Sequence, residues 1–118
     1  MSVVKKNLHD GGFHWVVKGS TTIHRNENNG PAVYHPAESM MAGEYYYLYG
    51  MLHRNNGPAM ITSLGKIWYL FDLMHREDGP AVEFPDGGKQ YWFDGIRVDV
   101  DTDRKFKKYV KAAKSIKL

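Results

Sequence analysis

The sequence predicts a mainly β fold: a single-domain antiparallel meander of about 3.5 stacked β-hairpin repeats, capped by a C-terminal amphipathic α-helix. Three observations predict it. One phrase occurs three times, as Ile23-His24-Arg25 running to Gly30-Pro31-Ala32-Val33, as Leu52-His53-Arg54-Asn55-Asn56-Gly57-Pro58-Ala59-Met60, and as Leu73-Met74-His75-Arg76-Glu77-Asp78-Gly79-Pro80-Ala81-Val82. Each copy follows an aromatic strand entered through a Gly: Gly12 to Val17, Gly43 to Leu48 and Gly65 to Leu70. After a fourth such strand, Gly88 to Phe93, the chain changes to a Lys-rich segment over residues 101–118 with apolar residues at helical spacing.

Residues 1–118 are one domain, with the repeats over 10–99. His53 and His75 are 22 residues apart and His24 and His53 are 29 apart, the excess falling in Asn26–Asn29 and around Ala37–Met41. The unit is therefore about 22 residues long, with two loop insertions. Val3-Val4 fits an edge strand, and Asp10-Gly11-Gly12 opens the first unit with the wording of Asp86-Gly87-Gly88. Each unit reads as three short extended pieces, typified by Lys66–Phe71, Leu73–Arg76 and Ala81–Phe84, because β-branched and aromatic residues fill them and turn residues divide them. Asp94-Gly95 between Phe93 and Ile96 is the strongest hairpin signal, since both turn positions need positive φ.

Alternate residues of a strand face opposite ways. Aligned, the lead strands place Trp15, Tyr46, Trp68, Tyr91 with Val17, Leu48, Leu70, Phe93 on one face, apolar throughout and expected to be the core. The other face carries Val16, Tyr47, Tyr69, Trp92 with Lys18, Tyr49, Phe71, Asp94, aromatic but mixed. A unit cannot bury its apolar side alone, so neighbours must stack and the ends need caps. The C-terminal cap is expected over 101–118, with Asp101 or Thr102 as N-cap and Phe106, Tyr109, Val110, Ala113 and Ile116 in one stripe flanked by Lys105, Lys107, Lys108, Lys111, Lys114 and Lys117.

On the repeated His-Arg-x-x-Gly-Pro-Ala wording and the Gly-led aromatic strands, residues Asp10 to Asp99 resemble an array of MORN-type repeats, in a variant met in small proteins of phages and large DNA viruses. The resemblance implies stacked β-hairpins that serve as a binding surface, and it brings no shared catalytic set. The Pro-Ala after the Gly departs from the common MORN pattern, so no lipid role is carried over.

Composition narrows the function classes. The chain holds no Cys, which removes disulfides and thiolate metal sites and fits the cytosol. It has no run of about 18 apolar residues and no signal-type apolar segment after Met1, so membrane insertion is not expected. The formal net charge of +3 hides an asymmetry: residues 1–100 hold 9 Lys and Arg against 11 Asp and Glu, a net of −2, while residues 101–118 hold 7 against 2, a net of +5. A basic balance confined to the tail does not mark the whole protein as a nucleic-acid binder.

No catalytic constellation stands out, so the chain reads as a non-enzyme without a cofactor. Residues one repeat apart lie roughly 10 Å apart at about 4.8 Å per strand, so His24, His53 and His75 are too distant to share a metal ion and read as structural, bonding backbone near the Gly-Pro. Arg25, Arg54 and Arg76 form a ladder that either grips phosphates or pairs with carboxylates such as Glu77 and Asp78 and lies over rings. The stripe Tyr47, Tyr49, Tyr69, Phe71 and Trp92 is the leading candidate binding surface, because exposed aromatic residues dominate protein interfaces. Its competing role is a second small core under the helix or the Ala37–Met41 insertion. The leading expectation is recognition of a protein partner, a host factor if the viral resemblance holds. The alternatives are RNA or single-stranded DNA on the Arg ladder and Lys-rich helix, and a small ligand or nucleotide between sheet and helix. Exposed end strands also open a route to homodimers.

Overall fold

The computed structural model describes residues 2–116. In chain order these form β1 (Val3–Asn7), β2 (Phe13–Val17), β3 (Val33–His35), β4 (Gly43–Tyr45), β5 (Tyr47–Leu48), β6 (Met51–Leu52), β7 (Met60–Thr62), β8 (Gly65–Ile67), β9 (Tyr69–Leu70), β10 (Leu73–Met74), β11 (Val82–Glu83), β12 (Lys89–Phe93), β13 (Ile96–Val98) and the helix α1 (Asp103–Ser115). Nine strands make an antiparallel meander in the order β1-β2-β3-β4-β7-β8-β11-β12-β13, and β5-β6 and β9-β10 are separate two-stranded ribbons.

The ribbons arise because each internal lead strand changes partners at its central aromatic residue. The N–H of Tyr46 donates to the Ala59 carbonyl in the meander, while the Tyr46 carbonyl accepts from His53 N–H in its own hairpin. Trp68 repeats this with Ala81 and His75. Successive hairpins are then joined: Gly50, Asp72 and Gly95 N–H donate to the carbonyls of Ile23, Leu52 and Met74, and Arg25, Arg54 and Arg76 N–H to those of Tyr47, Tyr69 and Trp92. Every unit is therefore bonded to the next twice, once in the meander and once between hairpins. The molecule is a slab with extents of 44 × 36 × 19 Å.

The turns of β5–β6, β9–β10 and β12–β13 have positive φ at both central positions: Tyr49 and Gly50 (48° and 80°), Phe71 and Asp72 (47° and 67°), Asp94 and Gly95 (50° and 78°). That conformation suits the right-handed twist of the flanking strands. Asp10 and Asp86 each accept the N–H two residues on, Gly12 and Gly88, at 2.8 Å, so the two Asp-Gly-Gly turns are built alike. The Pro-Ala of the motif is explained by crowding. Ala32, Ala59 and Ala81 are fully buried, each in backbone hydrogen bonds between units, so a larger side chain would have to displace packed neighbours.

The helix closes the last unit. Thr102 is its N-cap, accepting Lys105 N–H, and Phe106 and Val110 are buried against Tyr91 and Val98, with Phe93 and Val100 at the margin. Tyr91 O–H donates to Asp103 Oδ1 at 2.6 Å; burial and then that carboxylate push the phenol up to about 12. Lys114 reaches back to pair with Glu77 in the third His-Arg loop. The helix is shorter than the 101–118 expected; Lys117 and Leu118, assigned to it from the sequence, lie outside the described residues.

The expected core face needs one correction. Its rings are covered, but by guanidinium groups rather than by a second apolar layer, because the His-Arg loops fold back over this face. Arg25 lies 4.5 Å from the Trp15 ring centroid, Arg54 3.9 Å from Tyr46 and Arg76 4.0 Å from Trp68. In the fourth unit, which lacks the Arg, Phe106 takes that place 5.0 Å from Tyr91. The apolar cluster proper is confined to this capped end. The opposite face also buries residues, among them Val16, Val33 and Val82.

Candidate functional site

The His and Arg ladders are built from one local design repeated three times. Each Arg Nη1 donates to the carbonyl of its own Gly-Pro: Arg25 to Pro31 at 3.1 Å, Arg54 to Pro58 at 3.2 Å and Arg76 to Pro80 at 3.0 Å. The planar guanidinium is held between an aromatic ring and the motif Gly, where an added Cβ would come within 3.0 to 3.1 Å of Arg atoms at Gly30, Gly57 and Gly79. Burial lowers the Arg25 pKa from its ordinary value. Arg76 is further paired with Asp78 at 2.9 Å and Glu83 at 3.2 Å. Little of this ladder is left to meet a phosphate.

Each His reaches forward rather than to its own Gly-Pro as expected. His24, His53 and His75 are buried, and their Nδ1 atoms accept the N–H of Tyr49, Phe71 and Asp94 at 2.9, 3.1 and 2.9 Å. They therefore fix the next unit's turn at a residue of unfavourable φ. His24 stacks on Tyr49 and His53 on Phe71 with centroids 4.2 Å apart. Among the described residues no three His, Asp or Glu side chains converge as a metal-binding group.

Of the expected aromatic stripe, Tyr47, Tyr69 and Trp92 lie on the other side, whereas Tyr49 and Phe71 stack on the loop histidines. Tyr47, Tyr69 and Trp92 directly follow Tyr46, Trp68 and Tyr91 in their strands, so they face away from the Arg loops and from α1. The helix therefore does not fold over them. Directly opposite them across each hairpin stand Leu52, Met74 and Arg97, which extend the same face and which the lead-strand alignment left out. All three aromatic residues are half-buried, and Tyr49 and Phe71 crown the hairpin tips at 52% and 54% exposure. Burial raises the phenols of Tyr47 and Tyr69 above their usual value, and the charge of Asp72 adds to both. Tyr45 O–H donates to the Met41 carbonyl at 2.7 Å, which ties the Ala37–Met41 insertion to the far end of the same strand rather than over the stripe.

The first insertion is also structural. Asn26–Asn29 contains a 3-10 turn at Glu27–Asn29, and the Glu27 carboxylate accepts Asn55 and Asn56 N–H at 2.9 and 3.1 Å. The second and third loops lack such a staple, and the groove between them, floored by Leu70 and walled by Arg54 and Glu77, is about 530 Å³ against about 280 Å³ between the first and second. The sheet-to-helix junction is filled by Phe106 and Val110, leaving a concavity of exposed side chains at Thr102, Arg104, Lys105 and Lys108. No helix among the described residues is long and apolar enough to cross a membrane. Comparison with protein-family models, with curated proteins and with solved structures finds no match.

Proposed function

We propose that this chain is a non-enzymatic repeat module that binds a protein partner in the cytoplasm through the Tyr47, Tyr49, Tyr69, Phe71 and Trp92 surface. One observation supports this reading: Tyr47, Tyr69 and Trp92 occupy the sheet face away from the Arg loops and the helix, which both lie against the other, while Tyr49 and Phe71 border that face at the hairpin tips, stacked on His24 and His53. Large aromatic rings presented on a rigid sheet offer contact area at low rotamer cost. Tyr49 and Phe71 sit at turn positions where Asn, Asp or Gly would be less strained. Their half-exposed rings accord with selection for a surface as well as for the turn. The resemblance to small viral repeat proteins makes a host factor the natural partner, inhibited or redirected by occupation of its surface.

The alternative, nucleic-acid binding, rests on the exposed Lys107, Lys108 and Lys111 of α1, since the Arg ladder is engaged within the fold. A pull-down from host lysate separates the two, comparing wild type with Tyr69→Ala/Trp92→Ala protein at low and high salt after nuclease treatment. A discrete protein retained in high salt and lost in the variant supports the aromatic interface. Recovery of nuclease-sensitive material alone, equal in both, would move the function to the helix.

A further inference from the structure

At the second turn position of the three hairpins, one residue departs from Gly. The second turn position is Gly50 in the first hairpin and Gly95 in the last, but Asp72 in the middle one, at φ 67°. A side chain in that left-handed conformation costs free energy that Gly would not. Asp72 Oδ1 accepts Leu52 N–H at 2.7 Å, which holds the carboxylate beside Leu52, directly opposite Tyr47. Tyr69 lies one hairpin further on, its carbonyl bonded to Arg54 N–H and the turn it leads to bonded to the Leu52 carbonyl. Tyr47 and Tyr69 are thus two strands apart, roughly 10 Å at about 4.8 Å per strand, with Leu52 between their strands and the carboxylate alongside. Among the described residues neither phenol oxygen is a buried group left without a partner, and Asp72 has one oxygen left over after its bond to Leu52.

The geometry points to the surface patch formed by Tyr47, Leu52 and Tyr69, beside Asp72, as the seat of one arginine side chain presented by the protein partner. This rests on the reading of the stripe as a protein-binding surface and adds the chemistry of what it recognises. A guanidinium is attracted to the faces of tyrosine rings, is weakly hydrated, and pairs with a carboxylate edge-on, so two rings and one acid satisfy it together. The neighbouring interval between Tyr69 and Trp92 has Met74 opposite Tyr69 and Arg97 opposite Trp92; Gly95 stands where Asp72 does, and the Asp94 carboxylate at that turn is turned to His75. It offers a cation an arginine neighbour and no carboxylate at the Asp72 position. The acidic middle of the stripe is therefore selective by position, not merely by net charge.

A capped hexa-arginine peptide, titrated into the full chain at near-physiological salt and followed by amide chemical shifts, tests this. Shifts should centre on Tyr47, Leu52, Tyr69 and Asp72. Asp72→Gly installs the residue of the flanking turns, so the fold is kept, and with both rings retained it should loosen binding by up to about fivefold, the scale of one exposed ion pair. Asp99→Asn removes the same charge at an exposed residue outside the stripe and should change binding by less than about twofold. Equal loosening by both variants, or shifts spread over the acidic turns instead, would overturn the arginine seat. The titration needs no cellular partner, so it stands apart from the pull-down. A partner still captured through Tyr69 and Trp92 by a protein whose titration fails removes the arginine and leaves the interface.

Discussion

Replacing Gly79 by Ala tests whether the guanidinium sandwich holds the repeats together. Gly79 is buried and has no positive φ, so the backbone tolerates Ala. The new Cβ would lie 3.1 Å from Arg76 Cζ and 3.4 Å from Nε and Nη1, tighter than an ordinary contact. Arg76 has nowhere to retreat, because the Trp68 ring stands 4.0 Å away on its other side. Displacing it weakens a desolvated cation–π contact of about 2 kcal/mol and a charged hydrogen bond to Pro80 of about 1.5–3 kcal/mol. Partial relaxation and an unfolded-state gain of about 0.4–1 kcal/mol for Gly→Ala offset part of this, leaving a loss near 2 kcal/mol. Urea unfolding of wild type, Gly79→Ala, Arg76→Ala and the double variant measures it. In the Arg76→Ala background the Gly79 substitution should be neutral or slightly stabilising, a coupling of about 2 kcal/mol. An equal cost in both backgrounds would refute the sandwich.

Phe106→Ala should cost about 3–5 kcal/mol, read from the urea midpoint, because the ring is fully buried against Tyr91 and little can collapse into its place. Stability should fall as pH drops below about 6.5: burial lowers the His24 pKa in the fold, so the unfolded chain takes up the proton first, and the Tyr49 N–H loses its acceptor on protonation. Melting at pH 5 and 7.5 checks this, and a His24→Gln variant should show a smaller difference. Glu27→Gln should destabilise by about 1 kcal/mol, since a neutral amide oxygen replaces a carboxylate on two backbone N–H groups, whereas Asn28→Ala should be silent on the same urea curve.

Much of the fold was legible because the repeat states its rules three times. Period, turn chemistry at Asp94-Gly95 and the amphipathic stripe of α1 are properties of local sequence, and local sequence decides them. What sequence did not reveal was partnership across units. The His side chains bond the following turn rather than their own Gly-Pro, a choice set by how far successive hairpins are offset, which no single unit encodes. Alignment gave the aromatic columns but not their covering. That the ring column is roofed by Arg follows only once the loop is seen to turn back on its Gly, although the pairing of Arg with a Gly a few residues on in every copy was there to be read. Leu52 and Met74 joined the candidate surface through strand register, which the separate lead-strand alignment did not reach. Asp72 did carry a signal, as a departure from Gly at a position that favours Gly.

The departures from symmetry sort themselves by what they touch. Glu27 faces the second loop and Phe106 the ring of Tyr91, so both complete contacts that the periodic design leaves open at its two ends. A finite array needs such residues: its first and last units have a neighbour on one side only. Asp72 is different, for it stands in the middle hairpin, where both neighbours are present and Gly would serve the turn. Its bond to Leu52 N–H has no counterpart from Gly50 or Gly95, so the hairpin does not require it. One oxygen of this strained carboxylate joins its hairpin to the preceding one, and among the described residues the other stays free beside Tyr47 and Tyr69, where an arginine from outside the chain would take it.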